Sequence, residues 1–289
     1  MTTEISDNEL DRLLLNTADH GCETAVYELA KGRVMQDKAL LEDQRVADWI
    51  YMTSLDLNGK ALTIGCGLGT LPISLSRTCQ EVIAVDCERK KVEFLKLCIK
   101  QRGLANLEAI HVEDVSKLSL AEAQFDLISL SGPLPQKSGD LWPLVEKMHA
   151  LLKEGGVLHL SLDNKWAFQN LLGLRWMSGG HTLSGTERRL GKIGFDPLRF
   201  YAPLPHPDGI PLFYLPLKNS GAIHFFLENL FPLFEMVSPE ARRRYALPYA
   251  ISKIGVRAAR ALHLTSLAGH FVPGFTVLAS KRSLQCFRN

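Results

Sequence analysis

The stretch Leu62-Thr63-Ile64-Gly65-Cys66-Gly67-Leu68-Gly69 carries the reading of the fold. An apolar run ends in three glycines at alternate positions and then opens into the helical pattern Leu71–Arg77. Glycines there let a backbone turn sharply at the end of a strand and approach a ligand without Cβ clashes. A dinucleotide fold would place its third glycine one residue later, in G-x-G-x-x-G, where this chain has Thr70. Working outward, Val82-Ile83-Ala84-Val85-Asp86 reads as a buried strand ending in a carboxylate, 21 residues after Gly65. A carboxylate at that tip can accept both hydroxyls of a ribose. A helix N-cap is the plain structural alternative for it. Val112-Glu113-Asp114-Val115 closes the next strand with a further acidic turn.

Around these motifs strands and helices alternate, which predicts a parallel sheet with crossover helices. The expected strands are 61–64, 81–85, 107–112, 125–130, 156–162, 198–202 and 275–280. Helices are expected over 8–16, 39–54, 71–77, 89–101, 141–152 and 184–193. Five prolines between Tyr201 and Leu217 exclude a helix or a central strand there. Apolar and basic helices are expected from 222 to 265. This divides the chain into N-terminal helices over 1–57, a core over 58–202 and 270–289, and an insertion over 203–269.

Composition bounds the function. A net charge of +2, with 46% hydrophobic and 22% charged residues, describes an ordinary globular chain with no whole-molecule pull on nucleic acid. No apolar run is long enough to span a membrane, and the acidic opening argues against a secretory signal, so the expected compartment is the cytoplasm. The six cysteines form no CxxC pair and are read as reduced thiols.

Taken together, the glycine loop, Asp86 and Asp114 resemble the class I S-adenosylmethionine (SAM)-dependent methyltransferases over residues 60–162. The resemblance implies a Rossmann-like α/β fold, a seven-stranded sheet with one antiparallel strand, and a helical insertion between the last two strands. It implies SAM as cofactor, held by Gly65, Cys66, Gly67, Gly69, Asp86, Asp114 and Ser131. In such enzymes Asp114 would meet the adenine. One departure is Thr63, where the family usually has an acid that helps hold the ammonium end of SAM. It motivates the alternative of a non-catalytic binding module, and a nicotinamide-linked oxidoreductase suffers from Thr70.

The downstream half resembles tailoring methyltransferases of polysaccharide and peptide natural-product clusters. Methyl transfer to oxygen of a sugar, small molecule or peptide is the expected reaction, with peptide C-terminal carboxyl methylation as an alternative. Such a transfer needs alignment above all, and a base only where the acceptor carries a proton. His181 and His206 are the base candidates because imidazole titrates near neutrality. Tyr201 and Asp208 would orient the acceptor, and Asn164 would bind it. A magnesium site built on Asp163-Asn164 lacks a strand-four ligand, since that position is Ser131, so no metal is expected. The basic amphipathic pattern over 251–264 is read first as a domain-surface helix. No nucleic-acid partner and no stable membrane insertion are expected.

Overall fold

The computed structural model describes residues 5–30, 44–55, 58–130, 141–167, 170, 180–204, 211–230, 250, 253–258, 261–262 and 265–282. Eight strands form one sheet: β1 (Lys60–Ile64), β2 (Glu81–Asp86), β3 (Leu107–His111), β4 (Phe125–Leu130), β5 (Leu152–Asp163), β6 (Phe195–Leu204), β7 (Phe213–Pro216) and β8 (Gly274–Lys281). Their order is β3-β2-β1-β4-β5-β8-β6-β7. β1 to β5 run parallel, β8 runs against both β5 and β6, and β7 runs against β6. The α/β class expected from sequence is therefore the one found, with an eighth strand and a second reversed one.

That extra strand, β7, lies inside the proline-rich stretch. It is an edge strand, where an imino acid costs no ladder bond on the open side. Pro203 is tolerated in β6 for a related reason. The ladder from β6 to β8 ends at Tyr201, two residues before it, and beyond that β6 pairs only with β7.

The described helices are α1 (Asp7–His20), α2 (Cys22–Ala30), α3 (Thr70–Leu75), α4 (Arg89–Arg102), α5 (Leu141–Leu151), α6 (Leu183–Ile193) and α7 (Ser220–Phe225). The first is capped reciprocally: the Ser6 N–H and hydroxyl both donate to Glu9 Oε2 at 2.8 Å. Of the helix expected over 39–54, Gln44–Met52 is wound as a 3-10 helix, and 39–43 lie outside the described residues. α2 was not anticipated; its short stretch carries little amphipathic signal.

Two apolar layers cover the sheet. Leu62, Ile64, Ile128 and Leu160 face α5 and α6, packing against Val145, Met148 and Leu190. Ala61, Ala84, Leu127 and Val157 face the other way, against α1, α3, α4 and Trp49 of the 3-10 helix. The alternation along each strand sends successive side chains to opposite layers. The parallel arrangement leaves all the carboxyl tips of β1 to β5 on one edge, and the site must be sought there.

Candidate active site

At the tip of β1 the three glycines each adopt positive φ: 80° at Gly65, 53° at Gly67 and 94° at Gly69. They serve different ends. A Cβ on Gly69 would stand 2.6 Å from Leu95 Cδ1, so glycine there lets α3 pack on α4. A Cβ on Gly67 would meet nothing within 4 Å, so the loop opens there on free space, as a ligand cradle requires.

Asp86 faces this loop from the tip of β2 and is 7% exposed. Its Oδ2 accepts from Gly67 N at 3.2 Å and its Oδ1 from Glu88 N at 2.9 Å. The helix N-cap of α4 is Glu88, so the capping alternative for Asp86 does not describe what it does. Each carboxylate oxygen keeps a second lone pair, which leaves both able to accept a hydroxyl. Beside it, the Cys66 side chain is buried. Burial, and next the Asp86 carboxylate, push its thiol well above the usual thiol range, so Cys66 offers a backbone rather than a nucleophile.

The strand-three turn adjoins the same residue, since Val112 N donates to the backbone carbonyl of Asp86 at 3.0 Å. Asp114 caps the short 3-10 turn Val115–Lys117, accepting from Ser116 N at 2.8 Å. Its hydrogen bonds with Ser116 hold the carboxyl below the ordinary range. The structure thus gathers Gly65, Cys66, Gly67, Gly69, Asp86 and the Asp114 turn at one end of β1, β2 and β3. Ser131 lies outside the described residues.

Thr63 lies on the face of the sheet that Ala84 and, two residues on, Asp86 occupy. It is fully buried in β1, level with Ser129 of β4 and, through Ser129, with His159 of β5. Ser129 Oγ and His159 Nδ1 are 2.8 Å apart, and the imidazole stacks on Trp49 at 3.7 Å with an interplanar angle of 5°. Burial pushes the His159 pKa down to about 3, so the ring is neutral. His159 is thus a buried core residue with its ring nitrogen satisfied by Ser129. Its partners stand 30 and 110 positions away along the chain, and no local pattern points to them.

The acceptor-side expectations divide. Asn164 is 1% exposed. Its Nδ2 donates to His270 O at 2.7 Å and to Val272 O at 2.8 Å, and its Oδ1 accepts from Trp166 N at 3.1 Å. Both amide protons are spent on backbone, which corrects the substrate-binding expectation: Asn164 is a clamp joining the tip of β5 to the segment before β8. His181 does stand at that tip. Its N–H donates to Asp163 O, its carbonyl accepts from Lys165 N, and its ring meets Trp142 edge-on at 5.6 Å.

Tyr201, expected to orient the acceptor, stands in β6 level with Thr276 of β8 and, through it, with Ser161 near the tip of β5. β4, β5 and β8 separate its strand from β1, and its ring packs against Tyr214 on the layer facing the N-terminal helices. His206 and Asp208 lie outside the described residues. The described cysteines, Cys22, Cys66, Cys79, Cys87 and Cys98, are all free thiols.

Comparison with known proteins agrees with this geometry. Residues 61–156 match the family described as Methyltransferase domain. A mitochondrial ribosomal RNA small subunit methyltransferase of Arabidopsis thaliana is 32% identical over 110 residues, 38% of this chain; the match spans only 27% of that relative. Among solved structures, a Haemonchus contortus phosphoethanolamine N-methyltransferase 2 in complex with S-adenosyl-L-methionine aligns over 94% of this chain and 60% of its own. Its TM-score is 0.52 and its identity 15%. The YcgJ protein of Bacillus subtilis aligns over 83% of this chain and 98% of its own, with TM-score 0.50 and 17% identity. Among the described residues no helix is long and apolar enough to cross a membrane. With the glycine loop, the strand-two carboxylate and this sheet order in place, residues 61–156 are similar to the methyltransferase-domain family whose model they match, on a Rossmann-like α/β sheet.

Proposed function

We propose that this chain binds SAM across the tips of β1, β2 and β3 and transfers its methyl group to an oxygen of a sugar, small-molecule or peptide acceptor. The observation that carries the reading is the Asp86 carboxylate, locked by two backbone N–H groups against a glycine loop that opens on free space. SAM supplies an electrophilic methyl on a sulfonium; the protein's part is to hold the nucleoside and align the acceptor. Asp86 accepts the ribose hydroxyls, the backbone around Gly65–Gly69 lies along the cofactor, and the Asp114 turn borders the adenine, with Ser131 towards its far side.

The acceptor enters beyond the tips of β4 and β5, covered by the insertion over 203–269. His181 stands nearest to that position among the described base candidates and takes the acceptor proton where there is one, with His206 as the other candidate and Asp208 as an orienting group. A role in natural-product biosynthesis in the cytoplasm fits this reading. A ribosomal RNA acceptor is the second reading, favoured by the likeness to the Arabidopsis ribosomal RNA methyltransferase.

Calorimetric titration with SAM and with its demethylated product tests the cofactor. Asp86→Ala is expected to weaken both roughly ten- to hundredfold, the value of charge-assisted hydrogen bonds to two hydroxyls, with the fold intact by circular dichroism. Equal affinity in that variant overturns the assignment. Radiolabel transfer from SAM to a panel of glycans, peptides and ribosomal RNA then separates the acceptors.

A further inference from the structure

The charge of this chain is strongly divided along its length. Residues 241–289 contain nine of the 33 lysines and arginines and not one aspartate or glutamate. The other 24 are set against all 31 acidic residues in the first 240 positions. A near-neutral total therefore hides an acidic body and a basic C-terminal sixth, an asymmetry that points to an anionic partner.

The structure gives part of this basic segment an apolar outer face. Residues 253–258 are helical, and Leu262 N donates to Ala258 O at 3.0 Å, continuing the same rise. Val256 turns inward and packs against the main core. Ile254 and Leu262, both 65% exposed, turn outward with Arg257 between them. At 100° per residue, 254, 257 and 262 fall on the arc opposite Val256. Next along the chain, the 3-10 helix Thr265–Phe271 exposes two further apolar side chains, Leu267 at 46% and Phe271 at 38%. That helix leads into β8, whose first residue pairs with Asp163 at the tip of β5. The face thus borders the carboxyl edge, on the acceptor side.

We propose that this face, carried by Ile254, Arg257, Leu262, Leu267 and Phe271, docks the protein on an anionic lipid surface. The chemistry selects lipid over nucleic acid. Aliphatic side chains flanking Arg257 gain by entering the boundary between headgroups and acyl chains, while the guanidinium meets the phosphates above. A single-stranded nucleic acid would instead be met by aromatic platforms, and among the described residues this face offers one phenylalanine. The protein lies on the surface rather than crossing it. Docked this way, the acceptor side faces the lipid.

Flotation of the full chain with phosphatidylcholine vesicles, with and without phosphatidylglycerol, tests the proposal. Binding is expected only with phosphatidylglycerol and falls as salt is raised. Arg257→Glu changes two units of charge, at about fivefold each, and weakens binding about 25-fold. Ile254→Ser and Leu262→Ser weaken it about tenfold or more each, with thermal midpoints close to the native protein. Equal binding to both vesicles, binding to neither, or binding unchanged in all three variants overturns the proposal. Tighter binding to a single-stranded RNA than to either vesicle overturns it in favour of nucleic acid. Flotation reads the surface alone, so its outcome is independent of the SAM titration.

Discussion

His159 shows how one residue can make stability depend on pH without touching the site. Its folded pKa is depressed to about 3 by burial, against an ordinary value near 6.5. Below pH 6.5 the unfolded chain takes up a proton that the native ring refuses. The contribution is therefore fully present above pH 6.5 and is lost as pH falls towards 3, by about 1.4 kcal/mol per unit. Urea unfolding of the native protein and of His159→Gln, each at pH 7.5 and pH 5, isolates this term, because the carboxylates that titrate nearby are common to both. The native protein should lose about 2 kcal/mol more than the variant over that interval. Equal losses would mean that the imidazole reaches water. The same burial explains Thr63: a charged acid in that row would be desolvated beside a neutral ring, whereas a hydroxyl costs far less.

Between elements, the decisive joint is the one Asn164 makes. The tip of β5, the turn at Trp166 and the segment entering β8 are held by one amide whose two protons and carbonyl oxygen are all engaged. Asn164→Ala leaves two carbonyls and an N–H without these partners and should cost about 2–4 kcal/mol in chemical denaturation. SAM affinity should stay nearly native, because the clamp lies two strands from the glycine loop. A loss under about half a kcal/mol would return Asn164 to the substrate side. Much of the cofactor end was legible in sequence because its parts are local: the Gly65–Gly69 spacing and Asp86 at a strand tip speak for themselves. Asn164 misled for the opposite reason. Its partners, His270 and Val272, are assembled by strand order, and polarity in a loop carries no record of it. β7 stayed hidden because a proline-rich strand survives only at an edge, and position in the sheet is not written in composition.

For the whole molecule, the sheet makes cofactor binding a matter of global stability. Asp86, Gly67 and the Asp114 turn hang on β1, β2 and β3, and these strands are ladder-bonded in sequence through β4 and β5 to β8, the last strand of the chain. A ligand held at one end of such a sheet stabilises all of it, provided unfolding is cooperative. At a hundredfold excess over its dissociation constant, SAM should add about 2.7 kcal/mol. At about 2–4 °C per kcal/mol for chains of about 150–250 residues, and less for one of 289, the thermal midpoint should rise by about 5 °C. Two probes read whether the gain is shared: far-ultraviolet dichroism for the whole fold, and fluorescence of Trp49, which sits on β5 through His159. Coincident midpoints that rise together are expected. If dichroism shifts while the Trp49 signal does not, the sheet does not couple its two halves, and the acceptor side unfolds independently of the cofactor. With Asp86→Ala the same SAM concentration should produce little of the shift, because the hydroxyl contacts that make the native state the tighter binder are gone.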